Sequence, residues 1–230
     1  MSRMFLAPGR YVQGAGAIAE IGAHAAGLGT NALFTGGKTA LNVCGSAVEA
    51  ALRDKKVGCR KELFSGECSD KEISRLVGLA EAVGADLVIA AGGGKVIDTG
   101  KAVSGEMKIP VIVVPTIAAT DAPCSALSVI YSEHGVFERY LILPRNPDCV
   151  LVDTTLVANA PVEFLVSGMG DALATYWEAD TCAKSCKPNA ITGACPPTLA
   201  SLALARLCYD TLLEYGLQAK PAGERRSVTP

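Results

Sequence analysis

The stretch Leu87-Val88-Ile89-Ala90-Ala91-Gly92-Gly93-Gly94-Lys95-Val96-Ile97-Asp98-Thr99-Gly100-Lys101-Ala102-Val103 decides the fold. Its apolar run, with no polar alternation, predicts a strand buried on both faces. Glycines 92–94 end that strand, and the residues behind them read as a helix running to Ser104. A strand, a turn without side chains and a helix N-terminus together make a cradle for phosphate. Glycines let the backbone approach an anion, amide N–H groups point outward, and the helix dipole favours negative charge. A nucleotide is the first ligand to expect. The plainer alternative is a tight strand-to-helix connection and nothing more.

Outward from that stretch, strand-like runs alternate with helical patterns. Asn31 to Thr35 reads as a strand, Leu41 to Lys56 as a helix, and Cys59 to Leu63 as a strand. Ser69-Asp70-Lys71-Glu72 reads as a capping box, and Ile73, Leu76, Val77, Ala80 and Val83 share one helix face before Gly84. Val111 to Val114 and Cys149 to Val152 read as further strands. This alternation implies a parallel sheet covered on both faces. Between Ser128 and Leu143 the pattern becomes a β-hairpin around Glu133-His134-Gly135. From about Ala160 it becomes helical. The expected architecture is α/β: a parallel-sheet nucleotide-binding domain over residues 1–160, then an incomplete all-helical domain over 161–230. In the helix from Thr198 to Tyr215, Arg206, Asp210 and Glu214 form one narrow polar stripe. The rest is largely Leu, Ala and Cys, so it expects neighbours on most sides. Thr229-Pro230 looks like an N-cap followed by proline at a first helical position, as if another helix should begin there.

Composition narrows the partners. Of 230 residues half are hydrophobic, and the net charge of −2 gives no general attraction for nucleic acid or an anionic membrane. Aromatic residues are too few for a base-stacking platform. No apolar run is long enough to span a bilayer, and residues 1–9 lack the apolar core of a signal peptide, so a cytoplasmic protein is expected. The nine cysteines are odd in number, and Cys44, Cys59, Cys124, Cys149 and Cys208 sit in apolar surroundings that suit reduced thiols. Cys182 and Cys186 are one helical turn apart and could share a metal, although short zinc sites usually need two such pairs.

Other motifs carry less. Gly14-Ala15-Gly16-Ala17-Ile18-Ala19 fits the dinucleotide fingerprint as a string, but the strand before it (near Tyr11 to Gln13) is short and no acid ends the next strand. Gly37-Lys38-Thr39 looks like a P-loop ending, but Ala32 stands where the motif needs glycine. The loop from Pro115 to Pro123 follows a strand at its C-terminal end, the edge where open parallel sheets bind ligands. Asp121 within it suits either a cofactor cleft or an Asx turn. Asp171, acidic within an apolar stretch, reads either as a helix N-cap or as a metal ligand. His24 and His134, the only histidines, read as structural or solvated.

The strings GGGKVIDTGKAV (92–103), PTIAATDAPCSALSVIY (115–131), RYLILPRNPDCVLVDT (139–154), GMGDALATYWEA (168–179) and ALARLCYDTLLEYG (203–216) resemble the glycerol dehydrogenases of the iron-containing alcohol dehydrogenase superfamily. GECSDKEI (66–73) and APGRYVQGAGAI (7–18) fit as well. The resemblance implies an N-terminal nucleotide domain, a C-terminal helical domain and an active site in the cleft between. It implies that Gly92, Gly93, Gly94 and Lys95 cradle the NAD pyrophosphate, with Asp98 close behind. Thr116, Ala119, Ser125, Leu127 and Tyr131 would line the rest of the dinucleotide. Asp121 would accept a hydroxyl of a small polyol substrate, and Asp171 would be one of three protein ligands to a catalytic zinc. The implied reaction is oxidation of glycerol or a small vicinal diol to the hydroxyketone, by a homo-oligomer.

Departures from the family pattern are specific. Gly37 stands where the family carries an acid that holds the adenosine ribose, which bears on cofactor affinity and on the choice of NAD over NADP. Val96 and Ala119 replace a Thr and a Ser near the phosphates. Relatives continue well beyond Ser227-Val228-Thr229-Pro230, and the resemblance places the other two zinc ligands, both histidines, in that continuation. His24 and His134 are not placed to substitute. The alternative function is a truncated homologue without turnover that keeps nucleotide binding or only associates with other chains.

Overall fold

Eight strands and seven helices organise the described residues, 3–185, 187, 191 and 196–228 of a computed structural model. The strands are β1 (Tyr11–Gly14), β2 (Asn31–Gly36), β3 (Gly58–Leu63), β4 (Leu87–Gly92), β5 (Val111–Pro115), β6 (Leu127–Tyr131), β7 (Phe137–Ile142) and β8 (Cys149–Asp153). Six of them form one parallel sheet in the order β1-β8-β5-β4-β2-β3, and β6 with β7 makes a separate antiparallel hairpin.

Both faces of the sheet are covered, as its unbroken apolar runs require. On one face α1 (Ile21–Ala26) and α2 (Lys38–Asp54) pack Ala25, Cys44, Val48 and Leu52 on Phe34, Ile89, Ile112 and Leu151. On the other, α3 (Asp70–Ala82), α4 (Gly94–Met107) and the hairpin pack Ile73, Leu76, Ile97 and Ile130 on Leu33, Val88, Val113 and Val150. Adjacent residues Leu33 and Phe34 therefore point to opposite cores. Each side chain of this size contributes about 1.5–3 kcal/mol on full burial. The Ser69 hydroxyl caps α3 by accepting the Glu72 N–H at 3.3 Å. Glu72 does not complete the box: its carboxylate accepts instead from the Ser65 N–H at 3.0 Å and from Arg75 at 2.8 Å.

After β8 come α5 (Thr154–Asn159) and two long helices, α6 (Val162–Ser185) and α7 (Leu199–Glu224). α7 runs past Tyr215 and carries Pro221 inside its last turns, where Ala222 is buried and Gly223 lies against Val162 and Leu165 of α6. Asp171 stands in mid-α6, so the N-cap alternative is overturned: Gly168 marks a close contact with the Ala118–Ala119 loop, and Gly170 lies inside the helix with open space beside it, not at a helix start. Tyr176 and Trp177 stack on Tyr209 with ring centroids 5.3 and 5.8 Å away. No helix among the described residues is long and apolar enough to cross a membrane. Burial pushes the thiols of Cys44, Cys59 and Cys68 up to about 11, which suits inert reduced cysteines. Cys124 is exposed, against the apolar setting expected for it, because it ends a surface 3-10 turn. Cys186, half of the candidate cysteine pair, and Thr229-Pro230 lie outside the described residues.

Candidate functional site

Strand order fixes where a ligand can enter. β2 connects through α2 on one face to β3, while β4 connects through α4 on the other face to β5. β2 and β4 are neighbours, so the connections diverge between them and leave a crevice outside their C-terminal ends. A groove of about 430 Å³ opens there, lined by Gly37, Lys38, Gly92, Gly93, Thr116 and Phe164 among others. A Cβ on Gly92 would lie 2.8 Å from Val96 Cγ2 and 2.9 Å from Val96 Cβ, so glycine there keeps this wall open; one on Gly93 would press on the end of the Ile117 side chain at 2.8 Å. Gly93 caps α4 without a side chain, which leaves the first-turn amides available to an anion. These features fit a dinucleotide phosphate. A second cavity, about 230 Å³, lies at the opposite end of β5 beside Lys108 and residues 143–147. That is the wrong edge of the sheet for the crevice.

The two weaker glycine motifs part company. The Gly16 and Ile18 amides, behind β1, are both taken at 3.1 Å by the buried Asp153 carboxylate, which also caps α5 through the Thr155 N–H. That turn already holds an internal anion. Gly37-Lys38-Thr39 opens α2 and forms one wall of the groove.

The remaining candidates fall into three groups. Lys95, half-exposed, reaches the Glu67 carboxylate and lies 5.6 Å from the Tyr131 ring centroid. Asp98, Ser125 and Leu127 gather around the Lys101 ammonium, which is 2.9 Å from Asp98 Oδ1 and donates to Ala122 O at 2.8 Å, Ser125 Oγ at 3.2 Å and Leu127 O. Asp98 is buried and its Oδ2 also accepts the Val129 N–H at 2.9 Å, so it ties α4 to the hairpin. Burial raises its pKa, opposed by Lys101 and that N–H.

The third group joins loop and helix. The Asp121 N–H donates to the Asp171 carboxylate at 3.0 Å. α6 comes this close because Gly168 has no side chain: a Cβ there would lie 2.0 Å from the Ala118 carbonyl oxygen and 3.3 Å from Ala119 Cα. Desolvation first, and the like charge of Asp171 second, push the Asp121 carboxyl above its ordinary range. Two carboxylates side by side can bind hydroxyls or share a cation. They fall short of the three protein ligands of a catalytic zinc, and no cluster of three or more His, Cys, Asp or Glu exists among the described residues. These residues alone do not fit zinc.

Sequence reasoning missed Lys101, Glu67 and Gly168 as site-forming residues. Lys101 carries a signal in retrospect, since it follows Asp98 by three and so faces it on the helix. Nothing local marks Gly168, whose partner lies in another element.

The sequence profile described as iron-containing alcohol dehydrogenase matches residues 8–154. The chain is 54% identical over 224 residues to a glycerol dehydrogenase of Thermotoga maritima, covering 97% of this chain and 60% of that protein. It is 47% identical to one from Escherichia coli O6:H1, covering 100% of this chain and 62% of the relative. Among solved structures, a probable glycerol dehydrogenase from Sinorhizobium meliloti superposes with a TM-score of 0.92 at 42% identity, over 100% of this chain and 62% of that one. The chain thus spans about three fifths of the length of the relatives it matches.

Proposed function

This chain belongs to the iron-containing alcohol dehydrogenase family, and we propose from that footing that it carries the dinucleotide and polyol sites of a glycerol dehydrogenase. The substrate class is glycerol or a small vicinal diol, and the cofactor is a nicotinamide dinucleotide, NAD in the family reading. A bound nicotinamide would supply the hydride acceptor for oxidation of the carbinol carbon, the hydroxyl proton passing to solvent, so that glycerol would give dihydroxyacetone. The observation that carries the proposal is the groove at the switch point, walled by Gly92 and Gly93, with Asp121 on the following loop bonded to Asp171 of α6.

The chain's own residues then act as follows. The free amides of the α4 N-terminus hold the pyrophosphate, with Lys95 beside them exchanging Glu67 for phosphate oxygens. Thr116 and Ala119 border the dinucleotide, Ser125 and Leu127 flank it, held in place by Lys101, and Tyr131 flanks it beside Lys95. Asp98 supports from behind. Asp121 accepts a hydrogen bond from a polyol hydroxyl and so orients the substrate. Asp171 is proposed as one zinc ligand, the others coming from outside the described residues. The division at residue 160 between nucleotide and helical domains, homo-oligomeric assembly and a cytoplasmic setting belong to the same proposal.

Titration calorimetry tests it directly. Saturable dinucleotide binding by this chain, lost in Gly93→Val, is the expected result; equal binding in both, or in neither, would sink the proposal. A second reading, binding without turnover, is favoured by the short donor set at Asp171. Glycerol oxidation by this chain with zinc present, absent in Asp171→Ala, would decide against that second reading.

A further inference from the structure

The second cavity, at the N-terminal end of β5, takes no part in the dinucleotide groove. Its walls are largely apolar, Val111, Leu143, Pro144 and Pro147 among them, and none of the described residues lining it is Asp or Glu. Two cations stand at its exposed rim. Lys108 caps the end of α4, and its ammonium has no hydrogen-bond or ion-pair partner among the described residues. Arg145 is half-exposed and loosely held: it donates to the Ile109 carbonyl at 2.9 Å and reaches Asp148 only at 3.4 Å. The other Asp148 oxygen already accepts the Val111 N–H at 2.9 Å. Glu106 lines a neighbouring cavity instead. Two carbonyls beside the α4 C-terminus would repel an anion if bare, but both are occupied. That of Ser104 accepts the Lys108 and Ile109 N–H groups, and that of Ile109 accepts the Ser104 hydroxyl and Arg145.

We propose that this cavity is a second ligand site, taking a small carboxylate with an apolar body. Apolar walls disfavour a fully hydrated ion such as inorganic phosphate, while a carboxylate at the rim gives Lys108 and Arg145 the partner they lack. At about 230 Å³ the cavity is smaller than the roughly 300–1,000 Å³ of drug-sized sites, so the body is a single ring or a short branched chain. The site is tied to the Asp121 loop. Asn146 and Lys101 both line the cavity; Asn146 donates to the Cys124 carbonyl, and Lys101 to those of Ala122 and Leu127. Lys101 adds no free charge, because Asp98 and these carbonyls saturate its ammonium. An occupant therefore bears on the two side chains that hold the segment following Asp121.

The experiment is calorimetric titration with benzoate and with its neutral isostere benzamide, at one ionic strength. The parent chain is expected to bind one benzoate with a Kd of about 1 mM or tighter, and benzamide about tenfold more weakly, as the loss of a charge-assisted contact gives. Two variants remove the rim charges without disturbing the fold. Lys108→Asn suits the φ of 59° there, and Arg145→Gln keeps a donor for the Ile109 carbonyl. Each should weaken benzoate about tenfold and leave benzamide within about twofold. Gly93→Val, which alters the dinucleotide groove, should leave benzoate within about twofold as well. Absence of saturable benzoate binding, equal binding of benzamide, or indifference to both rim variants overturns the proposal. Benzoate lost in Gly93→Val would place it in the groove, and that too overturns the second site.

Discussion

Val88, Ile89, Val113 and Leu151 in the sheet are fully buried, whereas Leu199, Leu207 and Leu217 on α7 are 79%, 60% and 90% exposed. The residue types hardly differ; the number of layers around them does. A strand in the middle of a sheet has neighbours on two edges and a helix on each face, so every side chain finds a partner. α6 and α7 have chiefly each other. None of the α6 side chains is buried, and on α7 only Ala205 and Ala222 are. Arg206 and Asp210, bonded to each other at 2.8–2.9 Å, share a narrow polar stripe with Glu214, and the rest of the helix up to Tyr215 is largely Leu, Ala and Cys. A helix apolar on most sides is a sequence written for burial, while the α/β half meets that requirement with its own elements.

The largest effects expected from this contrast lie in the sheet. Phe34→Ala should cost about 3–5 kcal/mol in denaturant unfolding, because a fully buried ring leaves a cavity, while Leu207→Ala should stay within about 0.5 kcal/mol. Comparable losses would mean that α7 is covered in solution. Next comes Lys101→Met, which leaves buried Asp98 with a single N–H partner and should cost about 3 kcal/mol or more. Retention of parental stability would show that the ammonium does not bind the hairpin to α4.

Much of this architecture was legible from pattern alone. Continuous apolar runs announced a doubly covered parallel sheet, and glycines 92–94 announced the strand-to-helix turn that borders the groove. What stayed hidden depended on distant pairs. Lys101 reads locally as a surface lysine, and only the return of residues 122–127 over α4 makes it a hub. Asp171, acidic within an apolar stretch, reads either as an N-cap or as a metal ligand, and nothing local shows that Gly168 is there for the Ala118 carbonyl. The order of the strands, with β1 joining β8 at an edge, has no signature in β1 itself.

Gly168 also offers an intermediate test, at the seam between the two regions. Glycine to alanine inside a helix ordinarily stabilises by about 0.5–1 kcal/mol. Gly168→Ala should instead destabilise by about 1–3 kcal/mol, since α6 must retreat from the loop that carries Asp121. A raised melting temperature would mean that the helical pair is not seated on the sheet half as described. A smaller effect follows from pH. The folded chain raises the Asp121 carboxyl above its ordinary value of 3.8, so it holds that proton longer than the unfolded chain does. The contribution is present below the ordinary value and lost as pH rises through the raised one. Asp121→Asn should therefore melt above the parent at pH ~7 and converge with it below pH ~4. A lower melting temperature at neutral pH would contradict the desolvation and Asp171 repulsion invoked.

The smallest expected effect is none at all. Titration of this chain with zinc should find no tight stoichiometric site at Asp171, because the neighbouring Asp121 brings the described carboxylates to two and a catalytic zinc takes three protein ligands. The sheet half closes its own core, but the helical pair offers a carboxylate without closing a coordination shell around it. Stoichiometric zinc lost on Asp171→Ala would break that contrast, since the helical half would then complete a metal site on its own. Zinc that survives Asp171→Ala but is lost on Cys182→Ser would instead assign the metal to the cysteine end of α6, away from the Asp121 loop.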